Sequence, residues 1–551
     1  MGSTLSTNGG AVAAVERHAA TVGATILSQG GNAIDAAVAT ALALAVTWPP
    51  AGNIGGGGLM LVRLADGQDF ALDFRETAPA AIQPRLFLDD QGRYDPQRAK
   101  DPGLCAGVPG TVAGLHAAHQ SWGRLPWREL VAPAVALAAG GFVIDDTLAL
   151  WISTFADELA AQPFSAAVFL DAEGRPFAAG ARLVQADLAA TLQRIAEHGP
   201  EGFYAGPVAE EIARFLAAQG GPMTMDDLAA YQPVLRRPLH IPFRGQTVLA
   251  FGPPSSGGIA LGQILGQLSR LGWVAEPLLS ASAVHLYAEA ARRAFADRAT
   301  HLGDPAFHTV PLEFLLSGPH LDALALSVDR NAATPSSTLG PEITDEPEHD
   351  TTHISVIDRF DNAVSLTTTL EEAFGGKAIA GRTGVLLNDQ LRDFNRIPGE
   401  SRTAGHIGTE PNLAAPGKRP LTSMTPILVI NDGHPVLATG SPGGRTIINT
   451  VTQVLLSFLD RDLGIEQAVR LPRVHHSWFP DRIVAEPGAL SDAVLAELRS
   501  LGHVVQIASV HAPLFGTQGC ANTVAVDKTS GHRTAVGDPR REGWAAVADL
   551  P

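Results

Sequence analysis

Residues 350–370 read DTTHISVIDRFDNAVSLTTTL, and the architecture turns on this stretch. Residues 352–358 alternate polar and apolar side chains, Asp361 and Asn362 make a turn, and residues 363–369 return, which predicts an antiparallel hairpin. Just upstream, residues 331–350 carry Pro335, Pro341, Pro347, a cluster of acids and no aromatic residue, so they are expected to form a solvated, flexible acidic loop. A mobile tether thus runs directly into a core strand. Downstream, residues 384–387, 426–430 and 436–439 read as apolar strands and residues 446–459 and 491–501 as helices, an α+β layering.

The amino-terminal half reads mostly as helix. Asn32 is placed to cap an alanine-rich core helix that Pro49 and Pro50 end, and the glycine-rich turn at residues 55–58 follows. Residues 59–64 and 70–74 then form a hairpin with Arg75 just past its second strand. Residues 284–300 (VHLYAEAARRAFADRAT) predict an amphipathic helix with Arg292, Arg293 and Arg298 in its later half.

The chain has 551 residues, 45% hydrophobic and 17% charged, which is a composition that buries a large core and excludes disorder as a whole-chain description. With 39 Lys plus Arg against 56 Asp plus Glu, the formal charge of -17 makes nucleic acid and anionic membranes poor partners. Cys105 and Cys520 are the two cysteines, so a disulfide framework and a four-thiolate metal site are both out of reach. No basic segment followed by an apolar one opens the chain, so a secretory signal is absent or already removed, and the compartment stays open between cytoplasm and a mature periplasmic or secreted form. The longest apolar stretch, residues 33–50, contains Asp35, Thr40 and Thr47 and is too polar to span a membrane.

The hairpin sequence, together with GGNAIDAAVA, NIGGGGLMLV, LDFRETAPA, PPSSGGIAL, AEAARRAFADR, LGDPAF, GVLLNDQLRDF, KRPLTSMTP, GSPGGRTIIN and PRVHHSW, resembles the gamma-glutamyltranspeptidase (glutathione hydrolase) family over nearly the whole chain. That resemblance implies the four-layer αββα sandwich of N-terminal nucleophile hydrolases, formed by two interlocked chains after autocleavage. Residues 1–350 would be the large chain and residues 351–551 the small one, with the cut between Asp350 and Thr351. It also implies hydrolysis or transfer of the γ-glutamyl group of glutathione or related compounds to water, an amino acid or a dipeptide, with no cofactor and no metal.

The chemistry fits these residue types. A threonine hydroxyl is a poor nucleophile until a base takes its proton, and an N-terminal threonine carries one, its α-amine, with a reference pKa of about 7.7 to 8.0. If Thr351 Oγ attacks the Asp350 carbonyl, an ester replaces the amide; water hydrolyses it and the amine appears beside the hydroxyl. Read by itself, TTH is better taken as ordinary strand sequence, because threonine favours strands; the accompanying motifs reverse that balance. By resemblance Thr369 orients the Thr351 hydroxyl, and Gly443 and Gly444, in a turn before a helix, supply backbone N–H groups to an oxyanion. A phosphate-binding role for GSPGGR is disfavoured because it lacks the Lys-Ser/Thr pair.

By the same resemblance, Arg75 with Thr422 and Ser423 would clamp an α-carboxylate, and Gln390 and Asp393 would accept from an α-ammonium. Glu371 stands where the family commonly has asparagine, so Asp393 and Glu371 are expected to put two carboxylates near one ammonium. Without a cation such a pair is costly, which disfavours glutaryl-type donors. The alternative for Arg75 is a surface ion pair with Glu76 or Asp73, and for Asp393 a solvated turn. Residues 395–418 match a lid loop, and no evident aromatic gate stands between Arg396 and Leu413, which favours hydrolysis over transfer. Adjacent His475 and His476 point to opposite faces of an extended segment and are read as structural. Competing readings are a cephalosporin or glutaryl acylase, or another small amidase, of the same superfamily, and an uncleaved, non-catalytic amino-acid-binding protein.

Overall fold

A computed structural model describes residues 2–340, 350–395, 410–508, 518–541 and 543–548. Two seven-stranded antiparallel sheets face each other. The first runs in the order β1 (Thr4–Thr7), β13 (Arg533–Val536), β12 (Thr523–Val526), β11 (His434–Thr439), β10 (Ile427–Asn431), β7 (Gln246–Ala250), β6 (Leu239–Phe243). The second runs β14 (Trp544–Val547), β2 (Ala11–Ala14), β8 (Asp350–Ile357), β9 (Ala363–Glu371), β3 (Gly57–Arg63), β4 (Asp69–Phe74), β5 (Val234–Arg236). Strands from before and after residue 350 thus share both sheets, and neither part can bury its strands without the other.

Side-chain alternation assigns each strand face to a layer. Ala11, Ala13, Leu59, Leu61, Leu428, Ala438 and Val524 meet between the sheets. On the outer face of the second sheet, Val12, Met60, Val62, Ile354, Val356 and Leu366 pack against α1 (Arg17–Ser28) and α2 (Ala33–Thr47). Val248, Ile427, Val429 and Leu437 of the first sheet pack against α3 (Gly257–Leu271), α4 (Ala281–His301) and α5 (Thr446–Leu459). The chain therefore forms the four-layer αββα arrangement expected for it. α2 begins at a reciprocal capping box between Asn32 and Asp35, a feature that stabilises a helix start by ~1 kcal/mol.

Several local expectations change. The amino-terminal half, mostly helical as expected, also contributes strands to both sheets. Residues 384–387 form no strand but an irregular segment held by an isolated bridge between Ile379 and Leu386. α4 is not amphipathic in the surface sense, because Arg292 and Arg293 lie buried, paired with Glu289 at 3.4 and 2.6 Å. Within residues 331–340, Ser336 is fully buried and anchors the segment, accepting from Arg292 Nη1 (2.7 Å) and donating to Trp478 O (2.7 Å). The expected acidic loop beyond residue 340 and most of the expected lid lie outside the described residues. The two ends of the lid segment meet, with Asn395 N donating to Asn412 O at 2.9 Å beside Asp393.

Candidate active site

The β8–β9 pairing is regular from Thr352 to Ile357 but slips between Asp350 and Thr352, while Asp350 stays opposite Glu371. Such a bulge takes one residue out of the ladder and re-aims its side chain. The extra residue lies on β9, where Thr369 and Leu370 stand opposite the single residue Thr351. Thr351 is buried, and its hydroxyl donates to Thr369 Oγ1 across 3.4 Å, while Thr369 Oγ1 also accepts from Glu371 N at 2.9 Å. Glu371 has φ +85, a left-handed conformation unusual for a side-chain-bearing residue. Asn53, from the glycine-rich turn, fixes the same strand end by donating to Thr369 O at 3.0 Å.

Below Thr351 on the inward face of β8 sit His353 and Ser355, both fully buried. Ser355 Oγ donates to Asn522 O (2.9 Å), so it accepts from His353 Nε2 (3.0 Å), which leaves His353 Nδ1 to accept from Thr367 Oγ1 (2.8 Å). Burial pushes the imidazole pKa down to about 3, so this ring is a neutral spacer. It lies so close to Gly440 that a Cβ there would stand 2.4 Å from the ring. Gly440 leads from β11 into the turn Ser441-Pro442-Gly443-Gly444 before α5, which brings that turn beside the Thr351 strand. Gly443 (φ +120) and Gly444 (φ +54) need glycine for their backbone, and among the described residues neither N–H donates to a protein acceptor. Two backbone donors at a helix start can receive an anionic oxygen.

The expected head-group residues also converge. Asp389 N donates to Leu370 O (3.0 Å), hanging the turn that carries Gln390 and Asp393 on the end of β9. Arg75 is fully buried, donates through Nε to Pro420 O at 3.3 Å, and pairs with Asp393, which also accepts from Gln390 Nε2 at 2.6 Å. Glu76 lies 3.5 Å from Arg75 Nη1, completely buried, so the pair suggested by sequence exists but not at the surface. Burial raises the Glu76 pKa to about 7, with Arg75 pulling it back. Thr422 and Ser423 follow on the segment that Arg75 touches, and Ser423 Oγ accepts from Arg298 Nη2 at 3.2 Å.

The structure departs from the expectation that Asp393 and Glu371 lack a protein cation. Asp393 has Arg75, and Glu371 lies near enough to Arg392 to help hold that guanidinium's pKa up. Glu371, Glu372 and Asp389 offer three carboxylates within 4.8 Å of one another, as do the ligand atoms of His285, Glu289 and His503. Arginines already serve both groups: Arg392 pairs with Glu372 and Asp389, and Arg292 and Arg293 pair with Glu289. His476 is buried, accepts from Trp478 N (3.1 Å), and has its pKa pushed down to about 4 by burial. Both cysteines are buried, and burial raises their thiol pKa values. Sequence reasoning gave no site role to Asn53, His353, Glu76 or Arg298; each lies within a quoted motif, and only the fold shows what it touches. Among the described residues no helix is long and apolar enough to cross a membrane.

A family model described as Gamma-glutamyltranspeptidase matches residues 19–548. The chain is 43% identical to the glutathione hydrolase proenzyme of Escherichia coli (strain K12), over 88% of this chain and 84% of that protein. It is also similar to the crystal structure of Helicobacter pylori gamma-glutamyltranspeptidase, with a TM-score of 0.57 and 39% identity over 59% of this chain and 93% of the other. A cephalosporin acylase from Bacillus halodurans superposes with a TM-score of 0.85 over 100% of this chain and 97% of its own; at 24% identity that is a likeness of fold.

Proposed function

The chain belongs to the gamma-glutamyltranspeptidase family, and from that premise we propose that Thr351 is its nucleophile and the bond between Asp350 and Thr351 its processing site. The protein is an autoprocessing γ-glutamyl hydrolase and transferase acting on small molecules. In the proposed precursor step, Thr351 Oγ adds to the Asp350 carbonyl, the amide nitrogen leaves as the Thr351 amine, and water cleaves the ester. Residues 1–350 and 351–551 then remain one interlocked unit. In turnover, the Thr351 amine takes the hydroxyl proton as Oγ adds to the donor's γ-carbonyl, and the Gly443 and Gly444 N–H groups receive the oxyanion. The leaving amine departs with that proton, and water or an amino acid or dipeptide amine releases the acyl group. The observation that carries this reading is the Thr351 hydroxyl, which donates to Thr369 Oγ1 where β9 bulges opposite it.

For the donor head group, Arg75, Thr422 and Ser423 would hold the α-carboxylate, and Gln390, Asp393 and Glu371 the α-ammonium, with glutathione as the substrate of choice. Arg75 then exchanges part of its contact with Asp393 for the incoming carboxylate, freeing Asp393 for the ammonium. An acylase reading retains one supporting observation, since Asp393 already has Arg75 and need not repel a donor lacking an amine. Rates on γ-glutamyl-p-nitroanilide and glutaryl-p-nitroanilide separate the two. The γ-glutamyl compound is expected to win by about tenfold or more, the worth of one charge-assisted contact; preference for the glutaryl compound overturns the assignment.

Glu76 adds a pH dependence. Its folded pKa of about 7 lies above the ordinary glutamate value of 4.5, so ionisation is disfavoured by the fold and the neutral form prevails at lower pH. Once ionised, it gives Arg75 an anionic neighbour besides Asp393, in competition with the donor's carboxylate, with Asp73 and Asp393 opposing that ionisation. Donor KM is therefore expected to rise a few-fold as pH climbs through about 7, and Glu76→Gln to flatten the profile. An unchanged profile in Glu76→Gln would remove Glu76 from this role.

A further inference from the structure

Arg298 occupies the last turns of α4, where it differs from its neighbours on the same helix. Arg292 and Arg293 have Glu289, and Arg292 also has Asp481. Among the described residues, Arg298 has no carboxylate within ion-pair distance. Among them its guanidinium is held by two hydroxyls: Nε donates to Ser256 Oγ (2.9 Å) and Nη2 to Ser423 Oγ (3.2 Å). Ser256 is fixed in turn, since its N–H and hydroxyl both donate to Thr422 O at 2.8 Å. The fork of Arg298 therefore grips both segments that shape the Thr422–Ser423 corner. Burial and the charge of Arg445 lower its pKa to about 10, with Asp393 the carboxylate that opposes them. A guanidinium with so little balancing charge favours the arrival of an anion.

We propose that Arg298 is a positioning residue for the donor's α-carboxylate, acting through the Ser423 hydroxyl that it holds and adding an unbalanced positive charge behind the site. Because Ser423 Oγ accepts from Arg298, its own hydrogen is free to be aimed at a carboxylate oxygen. Arg75 meets the carboxylate from one side, and Arg298 polarises the hydroxyl on the other. The inference rests on the γ-glutamyl reading and deepens it: selection of donors with a free α-carboxylate needs a second arginine outside the direct contacts.

The test compares wild type, Arg298→Gln and Arg298→Lys on γ-glutamyl-p-nitroanilide and on its α-methyl ester, with processing checked on a denaturing gel. Wild-type cleavage of the free acid establishes the γ-glutamyl reading; failure of wild type there would sink that reading rather than the role of Arg298. In processed Arg298→Gln, KM for the free acid should rise about tenfold or more with kcat held within a few-fold, and KM for the ester should barely move. Arg298→Lys should recover part of the loss, since it restores charge without the fork. Equal losses on acid and ester, or no loss on either, overturn the proposal. Should Arg298→Gln not process, thermal shifts of Arg298→Lys and wild type with L-glutamate and with 4-aminobutyrate, which lacks the α-carboxylate, decide. A weakened shift for glutamate alone supports the role, and parallel shifts contradict it.

Discussion

Thr351→Ala should leave the chain as one full-length band on a denaturing gel and lower γ-glutamyl transfer and hydrolysis by at least about a thousand-fold. Two losses coincide in this variant, because the hydroxyl that opens the peptide bond is also the hydroxyl that attacks the donor. Without the cut, the α-amine that serves as base is never released. The fold should survive, since removal of a hydroxyl and a methyl group opposite the β9 bulge leaves the ladder from Thr352 to Ile357 intact. Thr351→Ser should be cut and retain part of the activity, because it keeps the oxygen. An alanine variant that processes normally, or that keeps more than a tenth of wild-type turnover, would remove Thr351 from both roles.

Gly443→Ala should lower kcat by about a hundred- to a thousand-fold while donor KM changes little, the loss seen when one oxyanion donor is removed. The backbone at Gly443 has φ +120, which an L side chain rarely adopts, and a Cβ there would meet Thr446 Oγ1 at 2.5 Å. Thr446 Oγ1 donates to Gly443 O at 2.6 Å, so displacing it also loosens the turn from the start of α5. The head-group residues lie on other segments, and for that reason the damage should fall on kcat. Steady-state kinetics on γ-glutamyl-p-nitroanilide checks this, and a rise in KM with kcat intact would place the turn in substrate binding instead.

Much of the fold was legible because local signals agreed with the layers. Asn32 before an alanine run gave the start of α2, and the two hairpins around residues 59–74 and 352–369 appear where alternation placed them. The αββα arrangement itself came from the resemblance, since periodicity does not say which strands become neighbours. α4 was misread because its charged residues are satisfied by segments distant in sequence, Ser336 and Asp481 for Arg292 and Ser327 for Arg293. The irregular segment at residues 384–387 is apolar without being a strand, and Val385, Leu386 and Leu387 are buried in the large apolar cluster outside the second sheet.

The site was legible in its residue types but not in its electrostatics. Arg75, Asp393 and Gln390 were all singled out, yet no sequence pattern says that they bond to one another before a ligand arrives. Glu371 was expected to await an ammonium, and Arg392 lies close enough to attract it. Arg298 looked like a helix-end charge until its contacts with Ser256 and Ser423 were seen.

Amino-terminal sequencing of the fragments in an active preparation tests the central claim most directly. A fragment beginning Thr-Thr-His, appearing in step with activity, is the predicted result. Full activity from a chain still joined across residues 350 and 351, or a fragment beginning elsewhere, would contradict it.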